Sequence, residues 1–249
     1  MYSKFEPTAQ NPFRSYKQRH NPPFPKLDPR TRGPSGEDAS APLVQLSRLN
    51  IILDKDSVIK SGTGFVSANS HALQQYDLLS VTPLTEAAFQ HACITLSELK
   101  PFSIDIISLD LAAAPRLPFH LKRSTISAAL ANGVVFEITY GSAVDPGNAV
   151  NDAGEARDVS TLRRNLFSGA RDLLRVTNGK GVIFSSSART ALGLRAPYDV
   201  MNLYVSFPRY STNMTSATLV GMTPAAAKDT LSASCRSLLI RARTYSQKH

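Results

Sequence analysis

The stretches VVFEITY (134–140), STLRRNLFSGARDLLRVTNG (160–179) and GVIFSS (181–186) decide the fold, because together they spell strand, helix, strand. The first and last are short, near-continuous apolar runs rich in β-branched and aromatic residues, the composition of a strand buried on both faces. Between them Leu162, Leu166, Ala170, Leu173 and Thr177 recur on one helical face, while Arg164, Arg171 and Arg175 stack on the opposite one. Ser160 is read as the cap that opens this helix, and Gly179 follows its end.

Four more runs of strand character flank this unit: LNIIL (49–53), DLLSV (77–81), IDIISLDL (104–111) and SLLIRA (237–242). Helix starts fall between them. Thr82-Pro83 and Thr223-Pro224 each read as an N-cap followed by proline at the first helical position, and Pro197 opens a further helix in the same way. Six strands with intervening helices predict a parallel α/β sheet, either doubly wound or a (β/α) barrel missing units.

The chain has 249 residues and 42% apolar composition, enough for one large α/β domain or a smaller one with a tail. Residues 1–48 differ from the rest. Eight prolines (Pro7, Pro12, Pro22, Pro23, Pro25, Pro29, Pro34, Pro42) fall there with little apolar periodicity, so the expectation is a mobile segment over 1–48 and a folded domain over 49–249. No apolar run approaches the roughly 18 residues of a membrane span, and the N-terminus is polar where a secretory signal is apolar, which predicts a soluble intracellular protein. Cys93 and Cys235 lie far apart in apolar stretches and read as reduced core residues.

The net charge of +9 favours polyanionic partners. It is concentrated beyond residue 115, whereas residues 49–114 are net acidic. The cations are also organised: Lys122 and Arg123 follow a strand, Arg163 and Arg164 lie in the first turn of a helix, and Arg189 and Arg195 flank the turn before Pro197. Arginine in such loops suits phosphate, because its planar fork makes paired hydrogen bonds to oxyanions.

Groups suited to catalysis are sparser. Asp105, Asp110 and Glu137 sit at strand ends, where a carboxylate serves as base or metal ligand, or more simply caps a helix or pairs with arginine. The five histidines (His20, His71, His91, His120, His249) are scattered, without the spacing of a metallohydrolase. No phosphate-binding glycine loop or nucleophile elbow occurs, and Ser185-Ser186-Ser187 reads as turn serines before it reads as a phosphate cradle.

Three blocks carry a resemblance to a known family. LPFHLKRSTISAALANGVVFEITY (117–140) is similar to a Leu-Pro-Phe-x-x-Lys-Arg segment, short helix and Phe-Glu-Ile-x-Tyr strand; RRNLFSGARDLLRVTNGKGVIFSSSA (163–188) resembles the helix and serine-ended strand that follow; RAPYDVMNL (195–203) resembles an Arg-Gly-Pro-Tyr-Asp-Val-x-Asn-Leu turn and helix. All three belong to the thirty-kilodalton protein subunit of ribonuclease P and ribonuclease MRP, and the likeness runs from about residue 49 to 242.

That resemblance implies a TIM-barrel-like domain, related to metal-dependent phosphoesterase barrels but without catalysis of its own. It further implies a subunit of a ribonucleoprotein whose RNA matures the 5′ end of precursor tRNA, with a role in rRNA processing through the MRP particle. The implied partners are the catalytic RNA, precursor tRNA and a small α/β subunit, with no membrane and no cofactor; the implied location is nucleus and nucleolus. Lys122, Arg123, Arg163, Arg164, Arg189 and Arg195 are the residues expected to meet RNA or a partner. The competing readings are a phosphoesterase using Asp105 or Asp110, and a scaffold that binds only proteins.

Two departures stand out. Ala196 occupies a position where the family usually has glycine, which predicts strain if the backbone there needs a positive φ. The family also opens with two strands and a helix that have no legible counterpart in residues 1–48, so only strands three to eight are expected here.

Overall fold

A computed structural model of the chain describes residues 44–54, 63–98, 101–144, 157–188, 191–205 and 224–246, with positions 5, 11 and 22–24. Five strands are formed: β1 (Arg48–Leu53), β2 (Leu78–Pro83), β3 (Ile106–Leu109), β4 (Val135–Thr139) and β5 (Val182–Ser185). They pair in parallel in the order β1-β2-β3-β4-β5. A doubly wound sheet must reverse its strand order once to bring helices to both faces; this order never reverses, which is the arrangement of a TIM-barrel-like sheet.

The helices are α1 (Ser70–Leu73), α2 (Glu86–His91), α3 (Arg123–Ala131), α4 (Gly141–Val144), α5 (Val159–Thr177), α6 (Pro197–Val205), α7 (Pro224–Leu231) and α8 (Ala233–Ser246). Alternation along the strands divides the sheet into two faces. Leu49, Ile51, Leu79, Val81, Ile107, Phe136, Ile138 and Phe184 turn outward and pack with Phe89, Ile126, Leu166 and Leu173 of the helices. Leu78, Ile106, Val135 and Ile183 turn to the inner face, against Leu238 and Ala242 of α8.

That contact corrects the sixth predicted strand. SLLIRA (237–242) lies inside α8, with Leu238 and Ala242, four residues apart, buried and Ile240 exposed. A six-residue apolar run is ambiguous between strand and helix, and here alanine, leucine and arginine, all strong helix formers, prevail. Arg241 fastens the helix to the N-terminal ends of the strands, donating to Asp105 Oδ1 (2.8 Å), Ser103 Oγ (2.8 Å) and Asn132 O (3.1 Å). Gly133 makes room for it: a Cβ there would meet Arg241 Nε at 2.8 Å, and the backbone has φ +78°.

Helix starts moved as well. Thr82 and Pro83 close β2, and the cap of α2 is Thr85, whose side chain accepts from Ala88 N at 3.3 Å. Pro197 and Pro224 do open α6 and α7, while Thr223 lies outside the described residues. Ala196 is unstrained: the non-glycine residues with positive φ are Asn178 and Ser187 among those described.

Within 1–48, Phe5 and Asn11 lie on the domain, while Phe24 is exposed and pairs with Gln45. Phe5 is buried edge-on to Tyr76 and donates its N–H to Thr63 O at 3.0 Å, and the buried Asn11 side chain donates to Gln75 O at 2.9 Å. Arg48 belongs to β1, one residue ahead of the expected boundary.

Candidate nucleic-acid interface

The amphipathic helix read from residues 160–179 is α5, and its buried positions include Leu162, Leu166, Ala170, Leu173 and Thr177, as its periodicity predicts. Its N-cap is Asp158 rather than Ser160. The carboxylate accepts from Ser160 N (3.1 Å), Thr161 N (3.0 Å) and Thr161 Oγ1 (2.7 Å), satisfying donors that a serine could serve only singly. At the other end Asn178 takes the left-handed conformation, φ 53°, with Gly179 following. Nineteen residues at 1.5 Å each make a helix about 28 Å long, and Arg163, Arg164, Arg171 and Arg175 are exposed along it.

Two grooves run beside these side chains. The β3–α3 loop lies along one flank, held by Asn165 Nδ2 donating to Ala112 O (3.2 Å) and Arg157 Nη2 donating to Ala113 O (3.0 Å). Between loop and helix is a cavity of about 420 Å³, whose polar lining includes Arg116, His120, Arg171, Asp172 and Arg175. On the other flank a cavity of about 410 Å³ is lined by Ser160, Arg163, Arg164, Phe167, Ser168 and Arg171. Ser168 and Arg171 belong to both, so the two form one cationic surface astride α5. Among the described residues no carboxylate lies within 4.0 Å of the guanidinium nitrogens of Arg116, Arg164, Arg171 or Arg175.

The predicted cations divide accordingly. Arg163 Nε donates to Ala143 O (3.3 Å) and Arg195 Nη2 to Val144 O (3.5 Å), so adjacent carbonyls at the end of α4 bring these two together beside Arg164. Arg123 reaches the far end of α5, where its Nη2 lies 3.2 Å from the Asn178 side-chain amide, whose oxygen accepts from it once the amide is turned to match donor with acceptor. Lys122 is tied elsewhere, 2.7 Å from Glu86 Oε1, and this hydrogen bond and charge hold the exposed Glu86 carboxyl below its ordinary value. Arg189 lies outside the described residues. Arg171 and Arg175 were visible as a helical stripe but not assigned to the site, and nothing in the local pattern marks Arg116.

The three carboxylates expected at strand ends take the simpler role, and their placement differs from that expectation: Asp105 precedes β3, Asp110 follows it, and Glu137 is the middle residue of β4. Arg48 forms a two-pronged pair with Glu137 on the inner face, at 2.6 and 2.7 Å, and its Nε donates to Ser80 Oγ at 2.8 Å. Burial alone would raise the Glu137 carboxyl, but the hydrogen bonds and charge of Arg48, with the Ser108 and Ser185 hydroxyls, hold it low. Asp105 is pushed up to about 6 by burial, against the opposing pull of the Leu79 N–H and Arg241. Asp110 Oδ1 caps the loop by accepting from Ala113 N at 3.1 Å.

Among the described residues no group of three or more His, Cys, Asp or Glu side chains is placed to hold a metal ion. Ser186 Oγ accepts from Ala188 N (3.2 Å), the turn expected of it. His91 is half-buried, which lowers its pKa; His20 and His249 lie outside the described residues. Both cysteines are free thiols, and burial pushes Cys93 up to about 12.

Comparison with known proteins identifies the family. A family model described as RNase P subunit p30 matches residues 5–247. A Mus musculus protein named ribonuclease P protein subunit p30 is 29% identical over 232 residues, covering 93% of this chain and 72% of the mouse protein. A Schizosaccharomyces pombe protein named probable ribonuclease P protein subunit 3 is 33% identical over 175 residues, covering 70% of this chain and 60% of its own length. The Saccharomyces cerevisiae ribonuclease P/MRP protein subunit RPP1 is 29% identical over 157 residues, 63% of this chain and 44% of that protein. With a match over nearly the whole chain and a sheet of the expected order, the chain belongs to the RNase P subunit p30 family.

Proposed function

We propose that this chain is a non-catalytic protein subunit of the ribonuclease P particle, and of its MRP relative, and that it meets RNA through the cationic surface astride α5. The observation that carries the RNA contact is the run of exposed arginines between two grooves that share Arg171. Guanidinium groups spread over about 18 Å of helix, from Arg163 to Arg175, match several successive backbone phosphates. In this reading the RNA cleaves the precursor tRNA leader, the protein holds RNA in shape, and the MRP role extends to rRNA processing. A small α/β subunit of the same particle is the proposed protein partner, and nucleus and nucleolus the proposed locations. The carboxylates open to the phosphoesterase alternative, Glu137, Asp105 and Asp110, are engaged by Arg48, Arg241 and a loop amide respectively.

Changing Arg163, Arg164, Arg171 and Arg175 together to alanine should weaken binding to structured RNA and make it less dependent on salt. Each lost phosphate contact lowers the slope of log affinity against log salt by about 1. Measured by fluorescence anisotropy between 50 and 200 mM salt, an unchanged slope overturns the assignment. Co-purification of the particle RNA with the tagged full chain tests membership directly.

A further inference from the structure

We infer that the turn opening α6 is a seat for an unpaired RNA nucleotide, with Tyr198 stacking on the base and Arg195 and Arg163 holding the flanking phosphates; this rests on the RNA-binding reading above. Tyr198 is 74% exposed, the largest value among the exposed large apolar side chains described, and Leu194 on the same turn is 58% exposed. Two large side chains are thus open to solvent within five residues of the arginine at this turn, and an exposed tyrosine ring beside a cation is equipped to stack on a flat partner.

The turn is held in shape without any ligand. Pro197 fixes the first helical φ, Ala196 O accepts from Asp199 N (3.0 Å) and Val200 N (3.1 Å), and Val200 is buried beneath the helix. The ring therefore rests on rigid backbone, and little ordering entropy is lost when something stacks on it.

Its neighbours select the occupant. Three residues away Arg195 Nη2 lies 3.5 Å from Val144 O, and Arg163 Nε lies 3.3 Å from the adjoining Ala143 O, with Arg164 following. Each of the two bonds occupies one of a guanidinium's five N–H donors, so both cations are positioned yet retain donors. An apolar protein surface laid over Tyr198 would have to strip water from neighbouring cations without replacing it. A nucleotide brings a flat face for the ring and phosphate oxygens for the guanidinium groups. It must be unpaired, because in a duplex both faces of a base are already stacked. The preference is for single-stranded character rather than for one base, since every base has a π-face.

The chain contains no tryptophan, so Tyr198→Trp installs a single fluorescent reporter in the full-length protein. Two RNA probes suffice: a blunt duplex, and the same duplex with a short single-stranded overhang. The overhang should quench the indole emission and the blunt duplex should not. Tyr198→Ala should weaken binding of the overhang probe by about 5- to 150-fold, with duplex affinity and salt slope unchanged, and Tyr198→Phe should restore it.

If both probes bind with steep salt dependence but Tyr198→Ala leaves the overhang affinity unaltered, the seat is refuted and the α5 surface stands. If the parent protein binds neither probe, the RNA reading itself falls and the seat with it. If Tyr198→Ala leaves RNA binding intact but releases a protein subunit from the particle, the turn is a protein contact and the inference is wrong.

Discussion

Arg48 and Arg171 show two uses of the same side chain in two regions of the molecule. On the inner face of the sheet Arg48 is locked in a two-pronged pair with Glu137, joining strands whose residues are 89 apart in sequence. On the outer surface Arg171 lies between two grooves, and among the described residues no carboxylate is within ion-pairing distance. The buried Glu137 carboxylate must be neutralised where it sits, and the half-buried Arg48 does so, whereas an exposed arginine can stay hydrated until a polyanion arrives. Charge inside therefore fixes the fold, and charge outside is available for binding.

The comparison breaks most sharply at Glu137. Glu137→Ala should destabilise the protein by about 3–5 kcal/mol, because it strands Arg48 beside a largely buried site. Replacing Arg48 and Glu137 together with methionine should recover most of that loss, since no uncompensated charge remains; denaturant unfolding measures both. If the single and double variants lose the same stability, the pair is not what the inner face depends on.

Arg241→Ala comes next, at about 1.5–3 kcal/mol for charge-assisted hydrogen bonds at the floor of the sheet. Its partner adds a pH signature. Because the folded Asp105 carboxyl titrates at about 6, above its ordinary 3.8, its contribution to stability is full below 3.8 and fades as pH rises through 6. Glu137, held low, acts oppositely: its contribution is present above its ordinary 4.5 and fades as pH falls below that value. Asp105→Asn should remove the loss between about pH 4 and 6 in unfolding curves while leaving the acid limb.

The smallest effects belong to the surface. Arg171→Ala should change stability by no more than about 0.5 kcal/mol while lowering the salt slope of RNA binding by about 1. Lys122→Ala should leave both the melting temperature and the RNA affinity unmoved, because its partner Glu86 already engages it in open solvent.

Five strands were legible because each is a compact run whose apolar residues answer to burial on the sheet. SLLIRA was not, because a run so short has no measurable period and its docking partners lie more than 50 residues upstream. Caps slipped by two or three positions, from Thr82 to Thr85 and from Ser160 to Asp158, since several oxygen-bearing side chains cluster at those boundaries. The arginine stripe of α5 is periodic and so could be seen. Arg116 reaches its groove only through the path of a loop, and the Arg48–Glu137 pair exists only once β1 and β4 share a sheet; neither leaves a local trace.

Helix α8 has a consequence for synthesis. It closes over Leu78, Ile106, Val135 and Ile183, yet its residues emerge about 100 positions after β4, roughly 5 to 20 seconds later at ordinary elongation rates. Throughout that interval the nascent sheet carries a bare apolar underside and an Asp105 carboxylate without its arginine. A chaperone arriving during translation should find its strongest purchase there, and lose it when Arg241 locks into place.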